Sequence, residues 1–273
     1  MQSLSERAQE ERHHRGWVDA IFEIADRDGE VAGGVIAGAL AYRFFIWLLP
    51  AGLVFIGGVG AIAGARSDSP HDVASSLGIG GLVSHSLQNA SKSHSSWYAL
   101  IVGIPILLYT TRSVLRVLIG THRLAWGDVR EGRPKPTFVD AAKLLGMLVI
   151  YFVLAGFAAW ARSRSHAAGL VATIIVAAGF TGLWLWISLR LPHRDAGWVD
   201  LLPGALLVGV GVGILQVAAA YLLGPYALEK QGTYGALGLA AALLLSLWVL
   251  GRLLVGGAEV NATLWERKRR ESG

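Results

Sequence analysis

The sequence predicts an all-α integral membrane protein, and three observations support that fold class. Apolar residues make up 53% of the 273-residue chain and charged residues only 16%. Six apolar stretches are each long enough to cross a bilayer, because a helix spans the hydrocarbon core with about 20 residues. Each stretch is continuous rather than alternating in polarity, which excludes the strands of a membrane barrel. We therefore predict spans at residues 33–63, 97–119, 139–160, 169–189, 199–223 and 235–260.

The segments before the first span are polar. Residues 1–16 are rich in charge and are predicted to be a flexible tail. Residues 17–30 place Trp17, Ile21 and Ala25 on one side, a pattern typical of an amphipathic elbow helix at the membrane interface. The same face suits packing on the inner ends of the spans, and both interpretations stay open. No apolar core with a small-residue cleavage site precedes span one, so we expect no signal peptide.

The distribution of positive charge predicts the topology. An even number of spans puts both termini on one side of the membrane. With the N-terminus inside, 14 of the 24 Lys and Arg residues fall in inner segments and five in outer segments. Inner loops of membrane proteins carry the excess of Lys and Arg, so both termini are predicted to be cytoplasmic. The transmembrane domain covers residues 31–265 and is followed by a basic tail at residues 266–273.

Composition excludes several kinds of partner and cofactor. The net charge of +5 is explained by a basic cytoplasmic face, and no basic patch is interleaved with stacking aromatics, so no nucleic-acid partner is expected. The chain has no Cys, which excludes disulfides and thiolate ligands. The eight histidines lack metal-site spacing, so no metal or cofactor is predicted. Residues 66–96 are predicted to form an amphipathic outer loop that either caps a cavity or lies at the interface.

Proline predicts the shape of the first span. Pro50 removes one hydrogen bond of the helix and frees the carbonyl of Ile46, so we expect a kink over residues 46–50. Glycines at four-residue spacing let two apolar helices approach closely, either within the chain, which is favoured, or between two copies of it. These pairs are Gly34 with Gly38, Gly60 with Gly64 and Gly209 with Gly213.

Charged residues inside the spans are the candidate functional residues, because they are costly in hydrocarbon. At about 1.5 Å per residue, Arg43 lies near mid-membrane and Arg112 in the inner third. Arg116 shares a helix face with Arg112 in the second span. Arg252 and Glu259 share a face of the sixth span. These five residues form a candidate anionic-ligand site, because a guanidinium matches phosphate oxygens. Alternatively, the arginines reach toward headgroups while Glu259 pairs with one of them.

Several motifs, in the right order and spacing, carry a resemblance to a known family. The chain resembles the YihY/BrkB family of bacterial inner-membrane proteins over residues 15–265. The matching family-motif positions include Pro192, Arg194, Tyr234, Gly235, Gly238, Gly257 and Glu259. The segments that carry the resemblance are Ala41-Tyr42 with Pro50, Trp126, Leu191-Pro192-His193-Arg194-Asp195, Tyr234-Gly235-Ala236-Leu237-Gly238 and Gly257-Ala258-Glu259-Val260-Asn261.

The resemblance implies a cellular location and several suggested activities. It implies a multi-pass protein of the bacterial inner membrane. Family members have been labelled virulence or serum-resistance factors and once ribonuclease BN, and lipid or lipopolysaccharide transport has been suggested for some. Arg43 and Trp47 depart from the small, uncharged residues expected in span one. The scattered histidines offer no nuclease centre, so we expect no enzyme activity.

Two functional hypotheses of different classes remain. In the first, the protein handles or translocates an anionic amphipathic substrate such as a lipid, with anionic membrane lipids as its partners. In the second, it is a non-transporting structural or regulatory membrane component that acts through other proteins. An ion-coupled transporter is less favoured, because no acidic residue lies at the predicted membrane midplane.

Overall fold

A computed structural model of the chain describes residues 16–66, 95–127, 136–162, 166–218 and 231–272. Within these residues the fold is entirely helical, which confirms the all-α prediction for the described part. The predicted tail at residues 1–16, apart from Gly16, and nearly all of the predicted outer loop lie outside the described residues. The helices are α1 Gly16–Glu30, α2 Gly33–Arg66, α3 Ser95–Ala125, α4 Phe138–Arg162, α5 His166–Ser188, α6 Trp198–Ala218 and α7 Gln231–Ser272.

Four of the helices are long and apolar enough to cross a bilayer, so the chain is a helical membrane protein. These stretches are Gly33–Val59, Trp97–Ala125, Trp198–Leu215 and Ala240–Ser272. The other two predicted spans, residues 139–160 and 169–189, correspond to α4 and α5. Within α5, Ala177–Ser188 is apolar but shorter than a membrane span. A count of six spans stays a prediction.

Two helices continue beyond the predicted ends of their spans. α3 runs to Ala125, and α7 runs to Ser272, so the predicted C-terminal tail is helical through residue 272. With 42 residues, α7 is about 63 Å long, about twice the hydrocarbon thickness. The last turns of both helices carry basic residues, which interact favourably with the negative end of the helix dipole. The predicted spans ended too early because hydropathy identifies only the apolar part of a helix and not its polar extension.

The described residues divide into two compact units. Unit one comprises the described residues of 1–41, 118–132 and 181–273. Unit two comprises those of 42–117 and 133–180.

In unit one, α6 packs closely against α7. Leu201 and Val208 of α6 and Val255 of α7 are fully buried. A Cβ atom added at Gly204 would overlap the carbonyl oxygen of Gly257. The backbone N–H of Gly204 also donates a hydrogen bond to Oδ1 of Asn261 (2.7 Å). The glycines therefore permit a helix crossing that a larger residue would block.

In unit two, α2 and α3 are joined by a polar contact and a close approach. The indole Nε1 of Trp47 donates to Oγ1 of Thr111 (2.8 Å), whose hydroxyl donates in turn to the Leu107 carbonyl (2.7 Å). A Cβ atom on Gly103 would lie 2.8 Å from Cγ2 of Val54. Trp47, which departs from the family pattern, therefore joins two helices.

Two expectations about α2 have different outcomes. Gly34 and Gly38 mediate no close packing within the described part of the chain, since a Cβ atom at either position would meet nothing within 4 Å, whereas a Cβ atom at Gly209 of α6 would overlap Oγ1 of Thr181 on α5. Close packing occurs instead at Gly251, where a Cβ atom would lie 2.6 Å from the Ala37 carbonyl. Pro50 lies inside α2, which is helical on both sides of it, and the kink stays a prediction.

Candidate functional site

The Arg112 side chain is held in place by the start of α4. Its Nε donates a hydrogen bond to the Pro136 carbonyl (2.7 Å). Its guanidinium carbon also lies 4.9 Å from the centroid of the Phe138 ring. These two contacts restrict the plane of the guanidinium, and within the described residues only Nε of its three nitrogens donates a hydrogen bond. The two terminal nitrogens have the planar geometry that binds two oxygens of a carboxylate or phosphate.

The cap at the start of α4 leaves the Pro136 carbonyl free to accept the hydrogen bond from Arg112. Thr137 and Asp140 form a reciprocal cap, in which the Thr137 N–H donates to Oδ2 of Asp140 (2.9 Å) and the Asp140 N–H donates to Oγ1 of Thr137 (3.2 Å). The first helical acceptor is the Thr137 carbonyl, which binds the N–H of Ala141 (3.2 Å). The Pro136 carbonyl therefore precedes the helix and accepts from Arg112 instead.

The other predicted arginines of unit two are exposed. Arg116 lies one turn after Arg112 on α3, and Arg43 lies on α2. Among the described residues, none of these three arginines forms an ion pair. Asp140 is the sole acidic residue of unit two in the ranges described. Unit two therefore carries arginines in apolar helices without a matching number of carboxylates.

Arg252 has a partner that the sequence interpretation missed. Its Nη1 lies 2.6 Å from Oδ1 of Asp28 and its Nη2 lies 3.1 Å from Oδ2. This two-point ion pair links α7 to the last turn of α1. The sequence analysis named Glu259 as the carboxylate that would pair with an arginine, but the partner of Arg252 is Asp28. The sequence analysis did not single out Asp28, because no hydropathy signal distinguishes an ion-paired carboxylate from a hydrated one.

Glu259 is buried in the same unit. Its side chain is 1% exposed, and its Oε1 has no hydrogen-bond partner in the part of the chain that the structure describes. The charged groups that act on it are Asp28, Arg252 and Arg27. Arg252 and Glu259 thus belong to one cluster with α1, and each lies where a ligand would have to displace protein contacts.

A network of ion pairs holds α1 on the end of α7. Arg27 contacts Oε2 of Glu266 (2.6 Å), and its other terminal nitrogen donates to Oγ1 of Thr263 (3.1 Å). Arg267 lies 2.7 Å from Asp19 and 3.1 Å from Glu23. Single exposed pairs contribute about 0–1 kcal/mol, but several shared partners fix one geometry. Of the two interpretations of residues 17–30, packing on the end of a predicted span is therefore observed.

The segment Leu191–Asp195 ties three parts of unit one together. Arg194 has a positive φ of 50°. Its side chain reaches the Gly127 carbonyl (3.3 Å) and Oε1 of Glu266 (3.3 Å), and lies over the ring of Trp265 at 5.8 Å. Gly127, which follows α3, also has a positive φ of 56°, a conformation that favours glycine. These contacts give Arg194 a structural role.

The remaining family-motif positions lie on α7 and in the segment before α6. Tyr234, Gly235 and Gly238 lie in the first two turns of α7, and any functional role for them stays a prediction. Gly257 mediates the approach of α6, and the Pro192 carbonyl lies beside the buried ring of His122. No group of three or more potential metal-binding side chains occurs in the ranges described.

The candidate ligand residues thus fall into two sets. Arg252 and Glu259 are brought together with Asp28 in unit one. Arg43, Arg112 and Arg116 belong to unit two. Convergence of the two sets on a single ligand stays a prediction.

These features define a class: a helical membrane protein with arginines exposed along apolar helices and an ion-paired elbow helix. The chain belongs to the Virulence factor BrkB family, whose family model matches residues 26–273. This match confirms the family resemblance carried by the motifs. A relative described as "Putative ribonuclease-like protein YfkH", from Bacillus subtilis (strain 168), is 25% identical over 185 residues. That alignment covers 67% of this chain but only 59% of the relative, less than two thirds of its length. No solved structure matches the chain.

Proposed function

We propose that this protein binds an anionic amphipathic substrate, a membrane lipid, and handles or translocates it through contacts with Arg112 and Arg116. The observation that carries this proposal is the orientation of Arg112, fixed by the Pro136 carbonyl and the Phe138 ring. A phosphate group in plane with this guanidinium would accept two hydrogen bonds at once.

The surroundings of Arg112 favour a lipid over a soluble anion. Phe138 is 52% exposed and Val139 is 59% exposed, so apolar surface adjoins the guanidinium. Acyl chains would cover such surface while the headgroup phosphate meets the arginine. A guanidinium in hydrocarbon is unfavourable unless an anion or water compensates its charge. The exposed Arg116, one turn away, supplies a second cation to the same headgroup.

The ion pair of Arg252 narrows the candidate site. Because Asp28 already occupies both terminal nitrogens of Arg252, we assign Arg252 and Glu259 to the attachment of α1. Arg43 remains a secondary candidate on α2. We place the protein in the bacterial inner membrane with six spans and both termini in the cytoplasm, as the charge distribution favours. In that topology Arg112 meets lipids of the inner leaflet.

We further propose that the protein is not an enzyme. The ribonuclease-like name of the Bacillus relative raises the possibility of RNA cleavage, which needs a metal centre or a pair of acid–base groups at an accessible cleft. His122 is buried, and His193 contacts the carbonyl of Leu191 through Nδ1 (2.6 Å). Purified protein should leave single-stranded RNA intact with and without Mg²⁺ or Mn²⁺. RNA cleavage that is lost in a His122→Phe or His193→Phe variant would refute this expectation.

The lipids that copurify in mild detergent test the proposed function. Wild-type protein should retain one anionic lipid class well above its share of the host membrane, and Arg112→Gln should reduce that enrichment by about tenfold, the loss of one charge-assisted bidentate contact. Arg190→Gln is a matched control, because Arg190 also stacks on an aromatic ring, that of Trp186 at 4.5 Å, but no hydrogen bond to a described residue fixes its guanidinium. Arg190→Gln should leave the enrichment unchanged.

Two outcomes would overturn the lipid proposal. Bulk membrane composition around the wild-type protein would instead favour a structural or regulatory component that acts through partner proteins. Equal losses in Arg112→Gln and Arg190→Gln would mean that any exposed arginine attracts headgroups and that no site exists.

A further inference from the structure

A group of buried polar side chains lies in unit one, where the end of α3 meets the end of α5. His122 is 1% exposed, Trp184 is 4% exposed and Ser188 is fully buried. The ring centroids of His122 and Trp184 are 6.3 Å apart, with their planes tilted by 54°. Trp184 and Ser188 are four residues apart on α5 and share one helix face. Two of the three side chains are therefore in ring contact, and the third lies one turn further along the same face of α5.

Their polar atoms are unsatisfied by protein groups. Both ring nitrogens of His122, Nε1 of Trp184 and Oγ of Ser188 have no hydrogen-bond partner in the described ranges. The Pro192 carbonyl and the His193 ring lie close to His122, but the carbonyl does not meet the geometry of a hydrogen bond. Buried polar groups in folded proteins are almost always paired with protein or with ordered water, so four such atoms on three neighbouring side chains point to a bound molecule.

The hydrogen-bonding capacity of the three residues matches water. The indole N–H of Trp184 can only donate, the hydroxyl of Ser188 can donate and accept, and a neutral imidazole has one donor and one acceptor nitrogen. A water molecule can accept from Trp184 and exchange one hydrogen bond each with Ser188 and His122. Buried waters make about three such bonds. A metal ion does not fit, because the indole N–H of Trp184 can only donate a hydrogen bond.

We propose that His122, Trp184 and Ser188 form an internal binding site for one water molecule that joins the end of α3 to the end of α5. This water site shares no residue with the proposed lipid site at Arg112 and Arg116. It gives a role to the buried histidine that the lipid proposal does not use. It also lies next to the Leu191–Asp195 segment, whose position it would help to set.

Ser188→Ala discriminates a hydrated site from a dry one. If water binds, the variant loses one partner, and the apparent melting temperature in detergent should fall by about 2–4 °C. If the hydroxyl is simply orphaned, its removal leaves the melting temperature unchanged or raises it, and that result would overturn the proposal. Ser246→Ala is the matched control: the Ser246 hydroxyl donates to the Ala242 carbonyl within its own helix (2.9 Å), so a shift below about 1 °C is expected.

Two further measurements do not depend on a single variant. A double-mutant cycle of Ser188→Ala with His122→Phe should be strongly non-additive, because the first substitution already displaces the shared water; additive losses would contradict a bridge. In wild-type protein labelled with ¹⁵N-tryptophan, the indole signal that disappears in Trp184→Phe should show a magnetisation-transfer peak to water. An indole signal without that peak would also refute the site.

Discussion

Arg252 of α7 and Asp28 of α1 form a two-point ion pair, with nitrogen–oxygen distances of 2.6 and 3.1 Å. This contact assigns an arginine that hydropathy alone placed inside a membrane span to the attachment of a polar helix. It separates the charged residues of the chain into a structural set in unit one and a candidate ligand set in unit two.

Asp28→Asn should destabilise the protein without changing lipid retention. The variant leaves the half-buried guanidinium of Arg252 without its carboxylate, and we expect a loss of about 1–2 kcal/mol, because about a third of the arginine is still exposed to solvent. Thermal unfolding in detergent, followed by tryptophan fluorescence, measures the loss. The double variant Asp28→Asn with Arg252→Gln should recover part of it. An unchanged melting temperature in Asp28→Asn would show that the ion pair contributes nothing.

Gly204→Ala should be strongly destabilising, because the added methyl group would overlap the carbonyl oxygen of Gly257 and the side-chain amide of Asn261. We expect a loss of about 1–3 kcal/mol from overpacking. Gly38→Ala is the control, since a Cβ atom there meets nothing within 4 Å and alanine favours the helix by about 1 kcal/mol. Gly38→Ala should therefore be neutral or stabilising. Equal melting temperatures for the two variants would contradict the described packing of α6 on α7.

The predicted and observed helix boundaries agree best where the length of an apolar stretch sets them. The start of α2 was predicted to the residue, and α4 within two residues at each end. Hydropathy did not predict the ion pairs between α1 and α7. Asp28, Glu266 and Arg267 have the hydropathy of hydrated surface residues, and only the structure shows their partners. Such partners are more than 220 residues apart, as Arg252 and Asp28 are. The hydrogen bond from Arg112 to the Pro136 carbonyl could not be predicted either, because every residue has a backbone carbonyl and the sequence does not show which one is free to accept.

Topology can be tested with single cysteines, because the chain contains none. Ser91→Cys should react with a membrane-impermeant thiol reagent in intact cells, and Glu131→Cys should react only after the membrane is opened. Labelling is read by a mass shift of the purified protein. The opposite pattern would place the termini outside and would put Arg112 in the outer leaflet.

Pro50→Ala tests the shape of α2. Alanine restores the hydrogen bond to the Ile46 carbonyl, so the variant should raise the melting temperature while reducing function if the predicted kink is used. Lipid retention and complementation of a deletion strain provide the two readouts. Higher stability with full function would show that the kink is incidental.

The most direct test of the lipid site is the affinity of Arg112→Lys for the enriched anionic lipid, measured by native mass spectrometry beside wild type and Arg112→Gln. Lysine keeps the charge but lacks the planar fork that Pro136 and Phe138 orient. We predict that Arg112→Lys binds about as weakly as Arg112→Gln, roughly tenfold below wild type. Wild-type affinity in Arg112→Lys would mean that charge alone attracts the headgroup, and it would contradict a site built on an oriented guanidinium.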